Sequence, residues 1–275
     1  MDFEPSFGAL HAQKDVQAYK VASVSPEAVA NLPEEFELTP PEIKNQGQVS
    51  SCVAHAMSEV IEYFNTAQEK NNTEFSTGFI YGNRSNTTYK GEGMYVNKAL
   101  DNAKKVGDVP NAYFPYNVEV PKAIELYNQK AEELKPKAYP HRITEYFLLK
   151  TDEQMKVNIM ENGPILFSIP WFDDYEVDGK TGIMTHKKNT KRGYHAMMIY
   201  GWNKDGWKFQ NSWGKSFGKG GRAILPYGTE FDTCYGIRDE VIGESDLDID
   251  KPLRGWPKII IKIINFVLNL FNKKK

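Results

Sequence analysis

The residues best suited to do chemistry are a cysteine, a histidine, an asparagine and a glutamine. Cys52 stands just before Val53, Met57, Val60, Ile61 and Phe64, which recur at helical spacing up to about Lys70. A thiol at a helix N-terminus loses its proton more easily, and the thiolate is the nucleophile. Ser50 and Ser51 are the candidate N-caps of that helix. Gln46 lies six residues before Cys52 on a Gly-containing loop. Its amide can reach the carbonyl oxygen that the Cys52 backbone N–H would bind. His195 opens the apolar run His-Ala-Met-Met-Ile-Tyr and is the candidate proton carrier. Asn211 follows sixteen residues later in Asn-Ser-Trp-Gly, where its side chain can accept from the imidazole Nδ1–H and hold the ring. That set fits acyl transfer through a thioester.

The elements that must position these groups divide along the chain. Residues 1–31 read as an extended N-terminal arm ending at the turns around Pro26 and Pro33, and residues 34–51 as loop. After the helix at Cys52, residues 71–93 are polar and Gly-rich and read as surface loops. Helices are expected over 96–106 and 121–135, with Gly107 as a C-cap for the first. Beyond residue 138 strands dominate: 141–149, 164–170, 195–200, 206–210 and 222–225, with one helix over 153–161 capped by Thr151. Helix first and sheet second is an α+β pattern, with two lobes and a cleft between them.

Three blocks in order carry a resemblance. Asn45-Gln46-Gly47 with Ser50-Ser51-Cys52, then Tyr194-His195-Ala196, then Asn211-Ser212-Trp213-Gly214 resemble the active-site blocks of the papain-like cysteine peptidases, in their disulfide-free bacterial-type branch. The Cys52–His195 spacing is 195 − 52 = 143 residues, inside the family's range of about 130–150. Leu32-Pro33-Glu34-Glu35-Phe36 resembles the start of a mature domain of that family, and Asn162-Gly163-Pro164-Ile165 its entry into the sheet lobe. The chain departs from the common pattern at Val49 (usually Cys), Ser50 (usually Gly) and Val53 (usually Trp). The resemblance implies a papain-like α+β fold, with a helical N-terminal lobe and an antiparallel sheet or barrel as the C-terminal lobe. It implies Cys52, His195, Asn211 and Gln46 as catalytic residues, and backbone atoms of Gly93 and Met94 pairing with an extended substrate. Trp213 would shield the His–Asn bond and line the leaving-group side. It implies a peptide or polypeptide substrate, cleaved as an endo- or exopeptidase, and no metal or organic cofactor. Two other outcomes remain open: a non-catalytic peptide-binding protein on this fold, and a thiol acyltransferase or peptide ligase.

This resemblance divides the chain into an arm (1–31), which can serve as a short inhibitory propeptide across the cleft, a peptidase domain (32–245), and a linker with a C-terminal helix (246–275). Residues 258–272 carry one narrow polar stripe on an otherwise apolar helix, followed by three lysines. At about fifteen residues the stretch is short of the roughly 20 that span a bilayer. It suits docking on the protein itself or on a second copy, or association with a membrane surface.

Charge and cysteine content narrow the rest. The 34 basic and 36 acidic residues leave a net charge of −2, without the basic excess of a nucleic-acid binder. Cys52 and Cys234 allow at most one disulfide, and the N-terminus has no secretory-signal pattern. Together these point to the cytoplasm or another reducing compartment. The sequons at Asn71, Asn83 and Asn86 then carry no weight. His55 shares a helix face with Cys52 and reads as structural, while His11, His141, His186 and Cys234 belong to no constellation.

Overall fold

The computed structural model describes residues 7–12, 20–69, 72–86, 92–116, 120–187 and 190–239. The expected C-terminal helix over 258–272, its linker, Asn71 and the rest of the arm (1–6 and 13–19) lie outside the described residues. In chain order the elements are α1 (Pro26–Ala30), β1 (Phe36–Glu37), α2 (Cys52–Glu69), α3 (Thr77–Gly82), α4 (Val96–Lys105), α5 (Val120–Ala138), β2 (Glu145–Leu148), α6 (Asp152–Glu161), β3 (Ile165–Phe172), β4 (Glu176–Val177), β5 (Met184–Thr185), β6 (Lys191–Asn203), β7 (Gly206–Gln210), β8 (Arg222–Pro226) and β9 (Thr233–Arg238). Short 3-10 turns occupy Asn83–Asn86 and Tyr139–His141. The fold is α+β with two lobes.

The helical lobe is built around α2. An amphipathic helix would leave a polar face in water, but here Ser58, Glu59, Glu62 and Asn65 are buried along with Met57, Val60 and Phe64. Buried polar groups need partners. Glu62 pairs with Lys44 at 2.7 Å and accepts from the Phe75 amide at 2.7 Å. Ser58 donates to the Phe75 carbonyl at 3.2 Å. Burial pushes the Glu59 carboxyl up to about 8, so it holds its proton at neutral pH.

The expected surface loop over 71–93 is corrected here, because α3 lies inside it and is wholly buried. Its glycines serve close packing instead of turns. A Cβ on Gly82 would sit 2.6 Å from the Ala123 carbonyl oxygen, and one on Gly78 would press on the Phe114 ring. Ser76 caps the helix by accepting from the Phe79 amide at 2.9 Å.

The second lobe is an antiparallel sheet in the order β2-β9-β3-β6-β7-β8, with β1 also paired to β6. Phe167, Phe209, Trp202, Trp207, Ile165 and Leu225 fill its core. The 13-residue β6 runs beside β3 on one side and β7 on the other, well beyond the six residues expected. Strand β9, absent from the sequence reading, inserts between β2 and β3. Capping Thr151 accepts from the Gln154 amide while the Gln154 side chain reaches back to the Thr151 N–H, a closed capping box. Thr151→Ala should therefore cost about 1 kcal/mol, seen as a lowered Tm, with Thr151→Ser losing much less.

Candidate active site

Cys52 is the first residue of α2 and is fully buried. The loop before it is stitched to the loop after β7. Gln46 donates its backbone N–H to the Ser212 carbonyl at 2.8 Å, and Gly214 donates to the Lys44 carbonyl at 2.9 Å. The Ser212 hydroxyl donates to Gln46 Oε1 at 2.7 Å, which fixes the amide's orientation. Gln46 Nε2 donates to the Val49 carbonyl at 2.9 Å, and an amide nitrogen carries a second N–H. Gly47 turns this loop at a φ of 59°, which favours glycine. At the start of α2 the Ser51 carbonyl accepts from the His55 amide at 3.0 Å, while its hydroxyl meets Tyr116 Oη at 2.9 Å and His55 Nδ1 at 3.2 Å. Tyr116 Oη in turn donates to the Gln46 carbonyl at 3.2 Å, a support absent from the sequence reading. Buried His55 is held at Nδ1 by the Ser51 carbonyl, and burial lowers its pKa to about 3, so it stays neutral.

His195 lies on β6 and Asn211 one residue beyond β7. The Asn211 side-chain oxygen is 2.8 Å from His195 Nε2. The sequence reading put this bond at Nδ1. Nε2 is the nitrogen farther from the backbone, and it is the one that reaches across to the neighbouring strand end. Asn211 Oδ1 also accepts from the Ser212 amide at 2.8 Å, so the oxygen faces both donors. That leaves Nδ1 as the proton-accepting nitrogen, and it has no hydrogen-bond partner among the described residues. Trp213 stacks on the imidazole at 4.5 Å and 29°, and Trp171 meets it edge-on at 5.2 Å. Trp171 was missed because an aromatic in an apolar strand run reads as core. The Ala196 amide, next to His195, donates to Cys52 Sγ at 3.5 Å, which holds the sulfur beside the strand that carries the imidazole.

Residues 7–12 of the arm occupy this cleft. Gly8 donates its N–H to Cys52 Sγ at 3.3 Å. Met94 donates to the Gly8 carbonyl at 2.8 Å and accepts from the Leu10 amide at 2.9 Å, while Ala9 donates to the Tyr194 carbonyl at 3.2 Å. Gly93 adopts a φ of +85°, and a Cβ there would sit 2.7 Å from the Gly8 oxygen. Phe7 packs edge-on against Trp213 and His195 at about 6 Å. His11, to which the sequence reading gave no role, binds Asp232. The arm therefore runs from Trp213 towards Met94 and presents the Gly8 N–H to the sulfur. A side chain at Gly8 is barred, since its Cβ would stand 2.1 Å from the Ser50 carbonyl oxygen.

Burial dominates the protonation of Cys52 and His195. Burial pushes the Cys52 thiol up to about 11, against the smaller opposing effect of amides donated by Ala196, Gly8 and others. Burial likewise lowers His195 to about 4, despite its bond to Asn211. In this arrangement both groups are uncharged at neutral pH. Cys234 is a second free, buried thiol, and burial raises its pKa too. Among the described residues no cluster of His, Cys, Asp and Glu could hold a metal ion.

Comparison with known proteins bears on the family and the fold. The profile of the papain family cysteine proteases matches residues 32–244. A cysteine protease of Blomia tropicalis is 24% identical over 200 residues, covering 68% of this chain and 57% of that protein. Cathepsin B-like cysteine proteinase 1 of Haemonchus contortus is 32% identical over 88 residues, 30% of this chain and 25% of that one. The chain thus spans little more than half of the first relative and a quarter of the second. Among solved structures, xylellain, a cysteine protease from Xylella fastidiosa, superposes with a TM-score of 0.71 at 21% identity, over 86% of this chain and 96% of its own. Procathepsin B S9 of Trypanosoma congolense gives 0.66 at 18%, over 86% and 87%. These likenesses establish the fold.

The buried thiol has a measurable consequence. In the intact chain, alkylation of Cys52 by iodoacetamide should climb with pH towards about 11. In Gly8→Ala, whose added methyl expels the arm, the rate should level off near or below the ordinary thiol range of about 8.5. Superimposable pH profiles for the two proteins would contradict this account of the site.

Proposed function

The chain belongs to the papain family of cysteine proteases, and from that premise we propose that it hydrolyses peptide bonds through Cys52, His195, Asn211 and Gln46, and that residues 7–12 hold it latent. The observation that carries the reading is the His195 Nε2–Asn211 Oδ1 bond of 2.8 Å, which leaves Nδ1 for the proton. The Cys52 thiolate at the start of α2 attacks the carbonyl carbon of the substrate. Negative charge develops on the carbonyl oxygen, where the Cys52 backbone N–H and Gln46 Nε2 are the donors. Protonated His195 gives its Nδ1 proton to the departing amine as the C–N bond breaks. Water then enters and gives one proton to Nδ1 as its oxygen bonds the acyl carbon, and the C–S bond breaks to leave a carboxylic acid and the Cys52 thiolate beside the protonated His195. Asn211 holds the ring in one tautomer throughout, and Trp213 keeps water off that bond. Met94 offers its backbone N–H and carbonyl to an extended peptide, as it does to the arm.

Latency follows from the same contacts. With the arm in place, a substrate carbonyl has no room at Cys52, and burial keeps the thiol protonated. Withdrawal of the arm returns water to the sulfur and lets the charged pair form.

The test is labelling by an epoxysuccinyl inhibitor, read by intact mass, in the wild type, Gly8→Ala and Cys52→Ala. One adduct at Cys52, forming at least about tenfold faster in Gly8→Ala, is the expected result, because displacing the arm removes its competition for the cleft. No labelling of either form that retains Cys52 would instead indicate a peptide-binding protein. Within the Gly8→Ala background, Gln46→Ala should lower kcat by about 10²–10³ with a smaller effect on KM, the loss expected for one oxyanion donor. Peptide products that carry an added amine in place of water would move the reading from hydrolysis to acyl transfer.

A further inference from the structure

Asp232 takes no part in the mechanism above, yet the arm is anchored on it. Its side chain is 3% exposed and lies 2.5 Å from His11 Nδ1. The Ala12 amide also donates to it, at 3.2 Å. The carboxylate is set in place from beneath. Asp232 donates its backbone N–H to the Ser168 carbonyl at 2.8 Å. The Ser168 hydroxyl, itself 2.7 Å from that of Thr233, donates to Asp232 Oδ2 at 3.3 Å. Ser168 sits opposite Ala196 in the sheet, one residue from His195. Among the described residues His11 is the one basic side chain paired with Asp232. Withdrawal of the arm uncovers Asp232 and removes that partner, and a peptide that covers the carboxylate again without a positive group meets the cost of an unpaired buried charge.

The position fixes what fills the vacancy. Gly8 is at the sulfur, and His11 is three residues further on, past Met94 and away from Trp213. At about 3.3 Å per extended residue that is roughly 10 Å, the reach of the second or third side chain before the scissile bond. The His11 ring also stacks on Tyr194, at 4.7 Å and 19°. A planar cation that lies on an aromatic face and grips a carboxylate with paired N–H groups is a guanidinium. Lys191 already stands over the Tyr194 ring at 4.6 Å, so the guanidinium replaces the imidazole instead of joining it.

We propose that Asp232, backed by Ser168 and Tyr194, is the specificity-determining carboxylate of the cleft, selecting peptides with arginine two or three residues before the scissile bond, and that His11 occupies this subsite in the latent form. The proposal rests on the peptidase reading above.

The experiment uses the full chain carrying Gly8→Ala and fluorogenic peptides that differ at those two positions in arginine, citrulline or leucine. Citrulline keeps the shape of arginine without its charge. Arginine should exceed citrulline by about tenfold or more in kcat/KM at one position, the scale of losing one partner of a desolvated charge pair. Asp232→Asn should collapse that ratio and Asp232→Glu should keep much of it. Equal rates for arginine and citrulline in the Gly8→Ala chain alone would overturn the proposal, whatever the Asp232 variants do. So would an unchanged ratio in Asp232→Asn. The same three side chains on peptidyl acyloxymethyl ketones read the subsite by the rate of Cys52 labelling, without turnover. An arginine preference in labelling with no peptide cleaved would uphold the subsite and overturn the peptidase reading. Cleavage of all peptides alike would do the reverse.

Discussion

Two backbone hydrogen bonds, Gln46 N–H to the Ser212 carbonyl and Gly214 N–H to the Lys44 carbonyl, tie the loop that leads into α2 to the loop that leaves β7. Every functional group hangs from one side or the other of this stitch. Cys52 and Gln46 belong to the helical side; His195 on β6, Asn211 and Trp213 belong to the sheet side. The stitch is anchored in turn at Lys44. Its ammonium is buried against Glu62 on α2 at 2.7 Å, while its carbonyl accepts from Gly214. A buried ion pair adds little net stability, but it fixes where a backbone lies.

Exposure decides what the sulfur and imidazole are. A helix N-terminus and a neighbouring histidine favour a thiolate, yet Cys52 is pushed up to about 11 and His195 down to about 4. Burial, to which the chain's own residues 7–10 contribute, is the largest cause of both shifts. The covering segment contacts the Met94 backbone, the Tyr194 carbonyl, the aromatic wall of Trp213 and Trp171, and the Asp232 carboxylate. Glycine at position 8 permits the close approach to Ser50, so the fit of the arm is written into one residue without a side chain.

The helical lobe departs from simple amphipathicity for a related reason. A helix that carries Cys52 at its start and meets a sheet along one side has neighbours on its other sides as well. Ser58, Glu59, Glu62 and Asn65 are all buried. Ser58 and Glu62 find partners in the Phe75 backbone and Lys44, and Glu59 retains a proton.

The amino-acid sequence by itself determined the α+β class, the helix beginning at Cys52, the strand over Gly206–Gln210 and the Thr151 cap, because each is set by local periodicity or a local hydrogen bond. Together with the resemblance it also singled out the residues that the fold gathers, since Gln46, Cys52, His195 and Asn211 are rare in such an order. Other features were decided only by tertiary structure. Residues 77–82 read as loop because their glycines look like turn formers, and only contact with Ala123 and Phe114 shows that they admit a neighbouring helix. Strand β9 was not legible because its identity depends on pairing with strands far away in sequence. The choice of Nε2 for Asn211 depends on the separation between two strand ends, which no spacing encodes. The roles of Gly8, His11 and Asp232 share that origin: over two hundred residues separate the arm from Asp232, and only the folded cleft makes them neighbours.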